Sequence, residues 1–365
     1  MKNYLIPQSI AERVLVVGPK HINYEGGIGY LINVYSRYFE AFKFVTTHRL
    51  AKSKAALIVY FLGQYSQFLG KLSRDRQIRI VHMHASSYGS FYRKLVLFLT
   101  SKYLFGHKVI YHMNGSEFAL FYEQSRPIQK RLIRFLTENV DVVVCLSQSW
   151  ADFFQQNFRL KRLEILHNIV ENQAPQQSIR IKKPDDVLKV LFLGAIGPRK
   201  GVFDLLDAIR QNRDLVQGRL QMVIGGNGET EQLEQYLKEH RLEDLVSFEG
   251  WVVGDHKARL LTDCHLFVLP SYSEGVPIAI LEAMSYGLPI LSTPVGGTAE
   301  VVLEGQNGFL VKPGDKTALF DRLMRFLEDP ALLQRMGQES GRISQNYQPD
   351  AVLPQLLRIY ESILA

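Results

Sequence analysis

The sequence predicts an α/β protein built from two doubly wound, Rossmann-like domains in tandem. Short runs of β-branched residues alternate with longer helical patterns, as expected of parallel sheets whose strands are joined by helices. The alternation stops over residues 171–186, which are rich in Gln, Pro and Lys and have no apolar period, and then starts again. We therefore predict an N-terminal domain over residues 1–180, a C-terminal domain over 186–345, and a last helix over 346–365 that could cross back to the first domain.

Six strands are expected in each domain. In the first domain they cover residues 13–18, 44–47, 79–84, 108–112, 141–147 and 163–167. In the second domain they cover residues 188–194, 219–225, 245–248, 265–270, 288–292 and 308–311. Open parallel sheets bind ligands at the carboxyl ends of their strands, so a ligand is expected in a cleft between the two domains.

Charge is divided unevenly between the two halves of the chain. Residues 1–180 contain 24 Lys and Arg against 11 Asp and Glu, a formal charge of +13, whereas residues 181–365 contain 19 against 25, a charge of −6. Basic residues are interleaved with aromatic residues and leucines in the segments 91–98 and 127–136, which predicts amphipathic helices on an anionic membrane surface. A solvated helix face is the alternative. No recognised nucleic-acid motif accompanies the charge, so nucleic acid is not an expected partner.

The composition is that of a soluble globular protein, and 365 residues suffice for two domains. Cys145 and Cys264 each lie in an apolar run, which is typical of small buried residues and not of a disulfide or metal framework. Residues 1–11 do not resemble a secretory signal, and no apolar segment reaches about 18 uninterrupted residues. We expect a cytoplasmic protein that is peripheral on the inner face of the cell membrane.

The most informative motif is the segment 273–284, Ser-Glu-Gly-Val-Pro-Ile-Ala-Ile-Leu-Glu-Ala-Met. It places the carboxylates of Glu274 and Glu282 eight residues apart across a loop-to-helix junction, with Pro277 suited to a first helical turn. If one helix includes both, they are roughly 12 Å apart along its axis. The backbone N–H groups between them form a natural seat for an anion. A nucleotide sugar, with hydroxyls at both ends and charge in the middle, has the matching shape.

Two glycine-containing loops follow predicted strands and could approach phosphate. Arg199 and Lys200 lie in one of them, where adjacent cations could clamp a diphosphate. Gly26 and Gly27 precede a helical pattern, where glycine lets a phosphate or sugar approach a helix N-terminus, although a plain loop-to-helix turn is equally compatible. The dinucleotide-binding fingerprint fails because no acidic residue closes the second strand, so nicotinamide chemistry is not expected.

Three histidines fall at or near the ends of predicted strands in the first domain. His82 and His84 are two residues apart and so lie on one face of a strand, and His112 belongs to the next strand along the chain. Such spacing could ligate zinc, but no Cys or carboxylate stands nearby to complete a ligand set. We therefore predict no metal site and interpret the histidines as hydrogen-bonded residues that could line a polar substrate pocket.

Together these motifs resemble those of the retaining glycosyltransferases of family 4, which have the GT-B fold of two Rossmann-like domains facing a central cleft. The resemblance spans nearly the whole chain and is strongest over residues 191–315. There the segments 267–275, 281–284, 294–297 and 305–308 look like the family's donor-binding domain. In the first half, the segments 82–86 and 89–94 look like members that build bacterial surface polysaccharides.

The resemblance implies that Glu282 binds the ribose hydroxyls of the nucleotide, that Arg199 and Lys200 hold the diphosphate, and that Glu274 contacts the donor sugar. The other donor-binding residues that it implies are Gly26, Gly27, Gly250, Trp251, Val252, Gly275, Val276 and Ile278. Family chemistry retains the anomeric configuration and neutralises the leaving group with cations and helix ends. The resemblance therefore implies neither a metal nor a cofactor beside the nucleotide sugar.

One departure from the family pattern concerns the transferred sugar. Many members have a His-Gly pair whose histidine lies beside that sugar, and the matching pair here is Asn114-Gly115, followed by Glu117. His112 stands two residues earlier, on the same face if the strand continues. Asn114 can hydrogen-bond a hydroxyl but cannot titrate, so either His112 replaces the usual histidine or the site works without one. Our hypothesis is that Asn114 faces the sugar.

The sequence thus predicts a retaining hexosyltransferase that uses a nucleotide sugar, with a UDP-sugar as the expected donor, and a lipid-linked or saccharide acceptor in capsule, exopolysaccharide or lipopolysaccharide synthesis. Two alternatives stay open: a GT-B nucleotide-sugar epimerase, and a non-catalytic partner subunit that keeps the fold. The second is favoured by Asn114 and disfavoured by the retention of Glu274, Glu282, Arg199 and Lys200.

Overall fold

The computed structural model describes residues 4–22, 26–49, 53–171 and 186–365. The chain divides into two compact units: the first runs to Ile169 and also includes Pro349–Ala365, and the second is Val170–Gln348. The first boundary comes earlier than the predicted residue 180, because the backbone N–H of Val170 donates to the carbonyl of Tyr347, 2.9 Å away, within the second unit. Most of the linker predicted over residues 171–186 lies outside the described residues.

The first unit is built on a six-stranded parallel sheet in the order β2-β1-β3-β4-β5-β6. Strands β1 to β6 are Val14–Pro19, Lys43–His48, Ile80–Ala85, Lys108–Met113, Val142–Cys145 and Leu163–Ile165. Because the chain order reverses between β1 and β3, the crevice at the carboxyl ends of these two strands is the expected place for a ligand.

Helices surround this sheet on both faces. Helices α1 to α7 are Gln8–Ala11, Gly27–Tyr38, Lys54–Arg74, Gly89–Leu99, Phe118–Gln124, Pro127–Asn139 and Gln148–Asn157, and a short π-helix, Thr100–Leu104, continues α4. Side chains alternate between the two faces of each strand. Val81, Met83 and Tyr111 therefore belong to the larger apolar core, while the neighbouring histidines point to the opposite face.

The second unit has its own six-stranded parallel sheet, in the order β12-β11-β10-β7-β8-β9. Strands β7 to β12 are Leu188–Leu193, Leu220–Gly225, Val246–Phe248, Leu266–Leu269, Ile290–Ser292 and Gly308–Leu310. This is the strand order of dinucleotide-binding domains, and its reversal falls between β7 and β10. The two sheets confirm the prediction of two Rossmann-like domains with six strands each.

Helices α8 to α15 of the second unit are Val202–Gln211, Arg213–Val216, Thr230–Glu239, Gly254–Asp263, Ile278–Ser285, Thr298–Val301, Lys316–Glu328 and Pro330–Ser344. Short 3₁₀ helices, Pro198–Lys200 and Gln345–Tyr347, precede α8 and follow α15. The apolar positions of α8 recur at helical spacing, so Val202, Leu205, Leu206 and Ile209 are all buried.

The last helix, α16 (Pro349–Leu364), packs in the first unit. The hydroxyl of Tyr360 lies 2.6 Å from Nδ1 of His82 in β3, and the guanidinium of Arg162 donates to Ser362 Oγ at 2.7 Å. Because Tyr360 and His82 are both fully buried, α16 covers the histidine-bearing face of the sheet. Across the described part of the chain, we find no helix long and apolar enough to span a membrane.

Candidate active site

Two loops of the second unit meet at its strand-order reversal. One follows β7 and carries Arg199 and Lys200, and the other follows β10 and carries Glu274. Their backbones are joined, because the N–H of Tyr272 donates to the carbonyl of Arg199 at 2.8 Å and the Arg199 guanidinium donates to the carbonyl of Ser273 at 3.2 Å. The structure thus brings Glu274 together with Arg199 and Lys200, which lie more than 70 positions earlier in the sequence.

Glu274 is buried, with 6% of its surface exposed. Its carboxylate forms an ion pair with the Lys200 ammonium, and the same oxygen accepts a hydrogen bond from Ser271 Oγ at 2.7 Å. A buried carboxylate is tolerated only when it is paired and hydrogen-bonded in this way. Glu274 is therefore held in one position beside a cation.

Glycine allows the close approach of the two loops. Gly201 has φ +69°, and a β-carbon there would lie 2.1 Å from the carbonyl oxygen of Pro270. On the other side of the Glu274 loop, a β-carbon on Gly296, whose φ is +55°, would lie 1.9 Å from the carbonyl oxygen of Glu274. Larger residues at these positions would push the carboxylate out of place.

Glu282 lies on α12, which begins at Ile278, so Glu274 is not part of the same helix. The axial distance that a shared helix would give therefore does not apply. Glu282 instead pairs with Lys257 of α11, whose ammonium is 2.5 Å from Oε1. The two glutamates are thus held by different cations on different elements.

The remaining donor-binding candidates of this unit surround the same edge of the sheet. Gly250 has φ +65° and accepts a hydrogen bond at its carbonyl from the N–H of Gly226, at 2.7 Å. Trp251 is 43% exposed, whereas Val252 is buried and would contact a β-carbon on Gly225 at 2.7 Å. Gly275, Val276 and Ile278 lie in the turn from Glu274 into α12, where the carbonyl of Gly275 accepts from the N–H of Gly297 at 2.6 Å.

In the first unit, Gly26 and Gly27 lie at the start of α2. Gly26 has φ +89°, and the helix begins at Gly27. Among the described residues, no atom lies within 4 Å of a β-carbon built at Gly26. The residues before it, 23–25, lie outside the described part of the chain.

Asn114 directly follows β4. Its Nδ2 donates to the carbonyl of His112 at 2.8 Å and lies 3.3 Å from Nδ1 of His84, while its Oδ1 has no hydrogen-bond partner among the described residues. Asn114 is partly exposed, whereas His112 is fully buried. The neighbouring Gly115 is pressed against Ser86, whose Cα would be 2.9 Å from a β-carbon there.

His82, His84 and His112 form a buried cluster whose ligand atoms lie within 4.8 Å of one another. His82 uses both ring nitrogens, Nδ1 toward Tyr360 and Nε2 toward His112 Nδ1 at 3.1 Å. Burial lowers the pKa of all three, for His112 to about 3, and the neighbouring imidazoles lower the pKa of His82 and His84 further. The cluster is therefore neutral at physiological pH, and among the described residues it includes no carboxylate or thiol.

Sequence reasoning missed several residues that contact these candidates. Ser271 and Lys257 hold the two glutamates, His84 contacts Asn114, and Tyr360 holds His82. Ser271 could have been predicted, since it lies in the same loop as Glu274. Nothing local marks Lys257 or Tyr360, because each meets its partner only through the packing of a separate helix.

Residues 174–342 match the family model described as glycosyl transferases group 1. Among curated relatives, the chain is 26% identical to the N-acetyl-alpha-D-glucosaminyl L-malate synthase of Bacillus anthracis over 70% of this chain and 68% of that protein. It is 26% identical to the putative colanic acid biosynthesis glycosyltransferase WcaL of Salmonella typhimurium over 50% of this chain and 47% of that protein. The chain thus spans only about half of the second relative.

Solved structures with the same fold cover nearly the whole chain. Sucrose-phosphate synthase from Thermosynechococcus elongatus superposes with a TM-score of 0.79 at 18% identity, over 98% of this chain and 99% of that one. HepE from Anabaena, solved in complex with UDP and glucose, superposes with a TM-score of 0.73 at 17% identity, over 96% and 99%. These likenesses confirm the GT-B fold class.

Proposed function

We propose that the protein is a retaining hexosyltransferase, because residues 174–342 match the family model described as glycosyl transferases group 1. The donor would be a nucleotide sugar, most simply a UDP-sugar, since a structural neighbour was solved with UDP and glucose. The acceptor would be a lipid-linked or saccharide chain of a surface polysaccharide, a setting supported by the colanic acid relative. The proposed reaction requires no metal.

The observation that carries this proposal is the pairing of Glu274 with Lys200 at the strand-order reversal of the second unit. A donor diphosphate would take over the Lys200 ammonium, joined by Arg199 from the same loop. Glu274 would then be released from its ion pair and could accept hydrogen bonds from the hydroxyls of the donor sugar. One contact thus both neutralises the leaving group and frees the sugar-binding carboxylate.

Glu282 would bind the ribose hydroxyls, and the base would lie near Trp251, whose exposed indole offers a stacking surface. Cations and backbone N–H groups that face the leaving diphosphate stabilise charge as it develops, without reorganising during the reaction. In the first unit, Asn114 is our candidate for contact with the transferred sugar. Its partial exposure favours it over His112, which is fully buried.

A surface of the first unit suits attachment to a membrane. Helices α4 and α6 pack together through Phe98 and Phe135, whose ring centroids are 5.9 Å apart. Their exposed apolar side chains are Tyr92, Val96, Leu99, Ile128, Leu132 and Phe135, continued by Tyr103 and Leu104 of the π-helix. Exposed Arg131 and Arg134 lie on α6, and exposed Arg126 immediately precedes it. We propose that this surface binds anionic lipid on the cytoplasmic side, at about 1 kcal/mol per cation.

The activity is tested by incubating the purified protein with a panel of nucleotide sugars and a membrane extract as acceptor. We expect release of nucleoside diphosphate, and a loss of about 100-fold in kcat for Glu274→Gln, because one or two charge-assisted contacts of about 1.5–3 kcal/mol are removed. The isosteric change should leave donor binding measurable. An epimerase would interconvert the sugar without acceptor, and a non-catalytic partner would bind nucleotide without turnover; either outcome replaces the proposal.

Membrane attachment is tested by co-sedimentation with vesicles of neutral or anionic lipid. We expect binding only to anionic vesicles, and a loss of roughly 3 kcal/mol when Arg126, Arg131 and Arg134 are all changed to Gln. In the matched control, three arginines of the second unit are changed to Gln: Arg213, Arg219 and Arg241. Equal loss in both triple variants would indicate a general effect of charge and not this surface.

A further inference from the structure

Lys94 of α4 is a buried lysine that the proposed reaction does not use. Only 1% of its surface is exposed, and its ammonium, which has three donors, makes one hydrogen bond, to Thr47 Oγ1 at 2.7 Å. In the described part of the chain it forms no ion pair, and no carboxylate contributes to its electrostatic environment. Burying a cation without a counter-ion is costly, so an anionic partner is expected in some state of the protein.

The ammonium lies at the ligand-binding edge of the first sheet. Thr47, which accepts its hydrogen bond, belongs to the carboxyl end of β2 and in turn donates to the carbonyl of Gly18, near the end of β1, at 3.1 Å. Lys94 is also close enough to His84, near the end of β3, to lower its pKa. The ammonium therefore lies beside the strand-order reversal, where parallel sheets bind ligands.

Among the described residues, other buried polar groups in or near α4 also lack hydrogen-bond partners. Arg93 has an Nε without a hydrogen bond, and its Nη1 lies 3.3 Å from where a β-carbon on Gly89 would be, at the N-terminus of α4. Ser87, two residues before α4, is 6% exposed, and within the described part of the chain neither its hydroxyl nor Nδ1 of His48 has a partner. The charges of Arg93 and Lys94 both lower the pKa of His48, so the three groups are neighbours.

This cluster has the chemical character of an anion site. Burial and the charge of Arg93 lower the pKa of Lys94 to about 7, which is the response of an ammonium without a counter-charge. Tyr88, the residue before α4, has φ +52°, a strained conformation of the kind found in ligand-binding loops. Two cations, a buried hydroxyl and the N–H groups of a helix N-terminus are the groups that bind tetrahedral oxyanions.

We propose that Lys94, Arg93 and Ser87 bind a phosphoryl group carried by the acceptor. The site lies in the same unit as Asn114, since His84 contacts Asn114 and the loop of Ser86 contacts Gly115. A lipid-linked acceptor bears phosphate next to its sugar, and the exposed face of the same helix α4 is the one assigned to lipid. Only the assignment of the anion to the acceptor rests on the proposed function; the anion site itself does not.

The test is calorimetric titration of inorganic phosphate and of farnesyl phosphate into the full chain, in the presence of saturating UDP. We expect Lys94→Met to weaken both by about 10- to 100-fold, the range for loss of one charge-assisted contact. Lys161→Met removes an exposed lysine of the same unit and should change affinity by less than twofold. The double variant Arg199→Ala/Lys200→Ala removes the phosphate contacts of the second unit and should leave this binding intact. Retained stabilisation by UDP shows that Lys94→Met is folded.

Four results would overturn the proposal. They are equal phosphate affinity in Lys94→Met and the wild type, displacement of phosphate by UDP, acetate binding as tightly as phosphate, and binding of free phosphate with exclusion of farnesyl phosphate. Displacement by UDP would mean that the bound anion belongs to the nucleotide donor. Acetate binding as tight as phosphate binding would mean that the ligand is a carboxylate. Exclusion of farnesyl phosphate would mean that the ligand is free phosphate. Phosphate binding that depends on Lys94 in a protein without transferase activity would refute the proposed function and leave the anion site standing.

Discussion

The ligand-binding edges of the two units differ in whether their buried charged groups have ion-pair partners. In the second unit each candidate carboxylate has a cation: Glu274 pairs with Lys200 and Glu282 with Lys257. In the first unit the corresponding edge contains three neutral imidazoles, and the ammonium of Lys94 has no ion-pair partner among the described residues. The second edge is compensated before any ligand binds, whereas the first is not.

This difference predicts how each edge would respond to a ligand. A ligand of the second unit must exchange existing ion pairs for new ones, so its net binding energy is a small difference between large contributions. An anion in the first unit would instead supply a charge that the protein lacks. We therefore expect acid to affect the first unit most, and backbone or charge substitutions to affect the second.

The largest expected effect is a loss of stability in acid that begins in the first unit. Its three buried histidines have folded pKa values below the ordinary 6.5, so the unfolded chain binds more protons as the pH falls. Their contribution is complete above pH about 6.5 and is lost from there toward about 3, the folded pKa of His112. Each histidine accounts for up to about 1.4 kcal/mol per pH unit.

Denaturant unfolding at pH 6.5 and pH 5 measures this effect, in a window above the ordinary pKa of Asp and Glu. Hydrogen exchange read by mass spectrometry should show β3 and β4 losing protection before β7 and β10. His84→Gln should reduce the dependence of the free energy of unfolding on pH. Substitution of the more exposed His256 to Gln serves as the control. A free energy of unfolding that is unchanged across this window would contradict the assignment of neutral, buried imidazoles.

A smaller effect is expected from the substitution Gly201→Ala in the second unit. It adds a β-carbon 2.1 Å from a backbone oxygen at φ +69°, and should cost about 2–4 kcal/mol of unfolding free energy, from the left-handed backbone together with overpacking. Gly218→Ala is the matched control, since its φ is +71° but nothing lies within 4 Å, and it should cost only about 1 kcal/mol. Equal losses in the two variants would mean that the loop can relax away from Pro270.

The smallest expected effect is on donor affinity in Lys257→Met. Removing this cation leaves Glu282 without its ion-pair partner in α11 and should raise the KM for the donor about 10-fold, with kcat changed by less than about threefold. Steady-state kinetics over a range of donor concentrations measure both. Arg213→Met breaks another ion pair of the same unit, with Asp244, and should leave both constants unchanged. A fall in kcat with constant KM would place Glu282 in the chemical step.

Much of the candidate site could be predicted from local sequence. The twelve strands of the described residues follow from short apolar runs, and the loops that carry Arg199, Lys200 and Glu274 follow from glycine and proline beside strand ends. The shared helix for Glu274 and Glu282 was not certain from the pattern, because Pro277 is compatible with either a first turn or the residue before it. The structure places Pro277 before α12, and Glu274 therefore in the loop.

By itself, the sequence determined the period of the strands and helices, the segment that matches a known family, and which side chains stand at strand ends, because all of these depend on neighbouring residues. Contacts between side chains that are distant in the sequence depend on the tertiary structure. Lys257 reaches Glu282, Lys94 reaches Thr47, and Tyr360 reaches His82 across 25, 47 and 278 positions. Such pairs depend on the order of strands in a sheet and on which face each helix covers, and neither is contained in a local pattern.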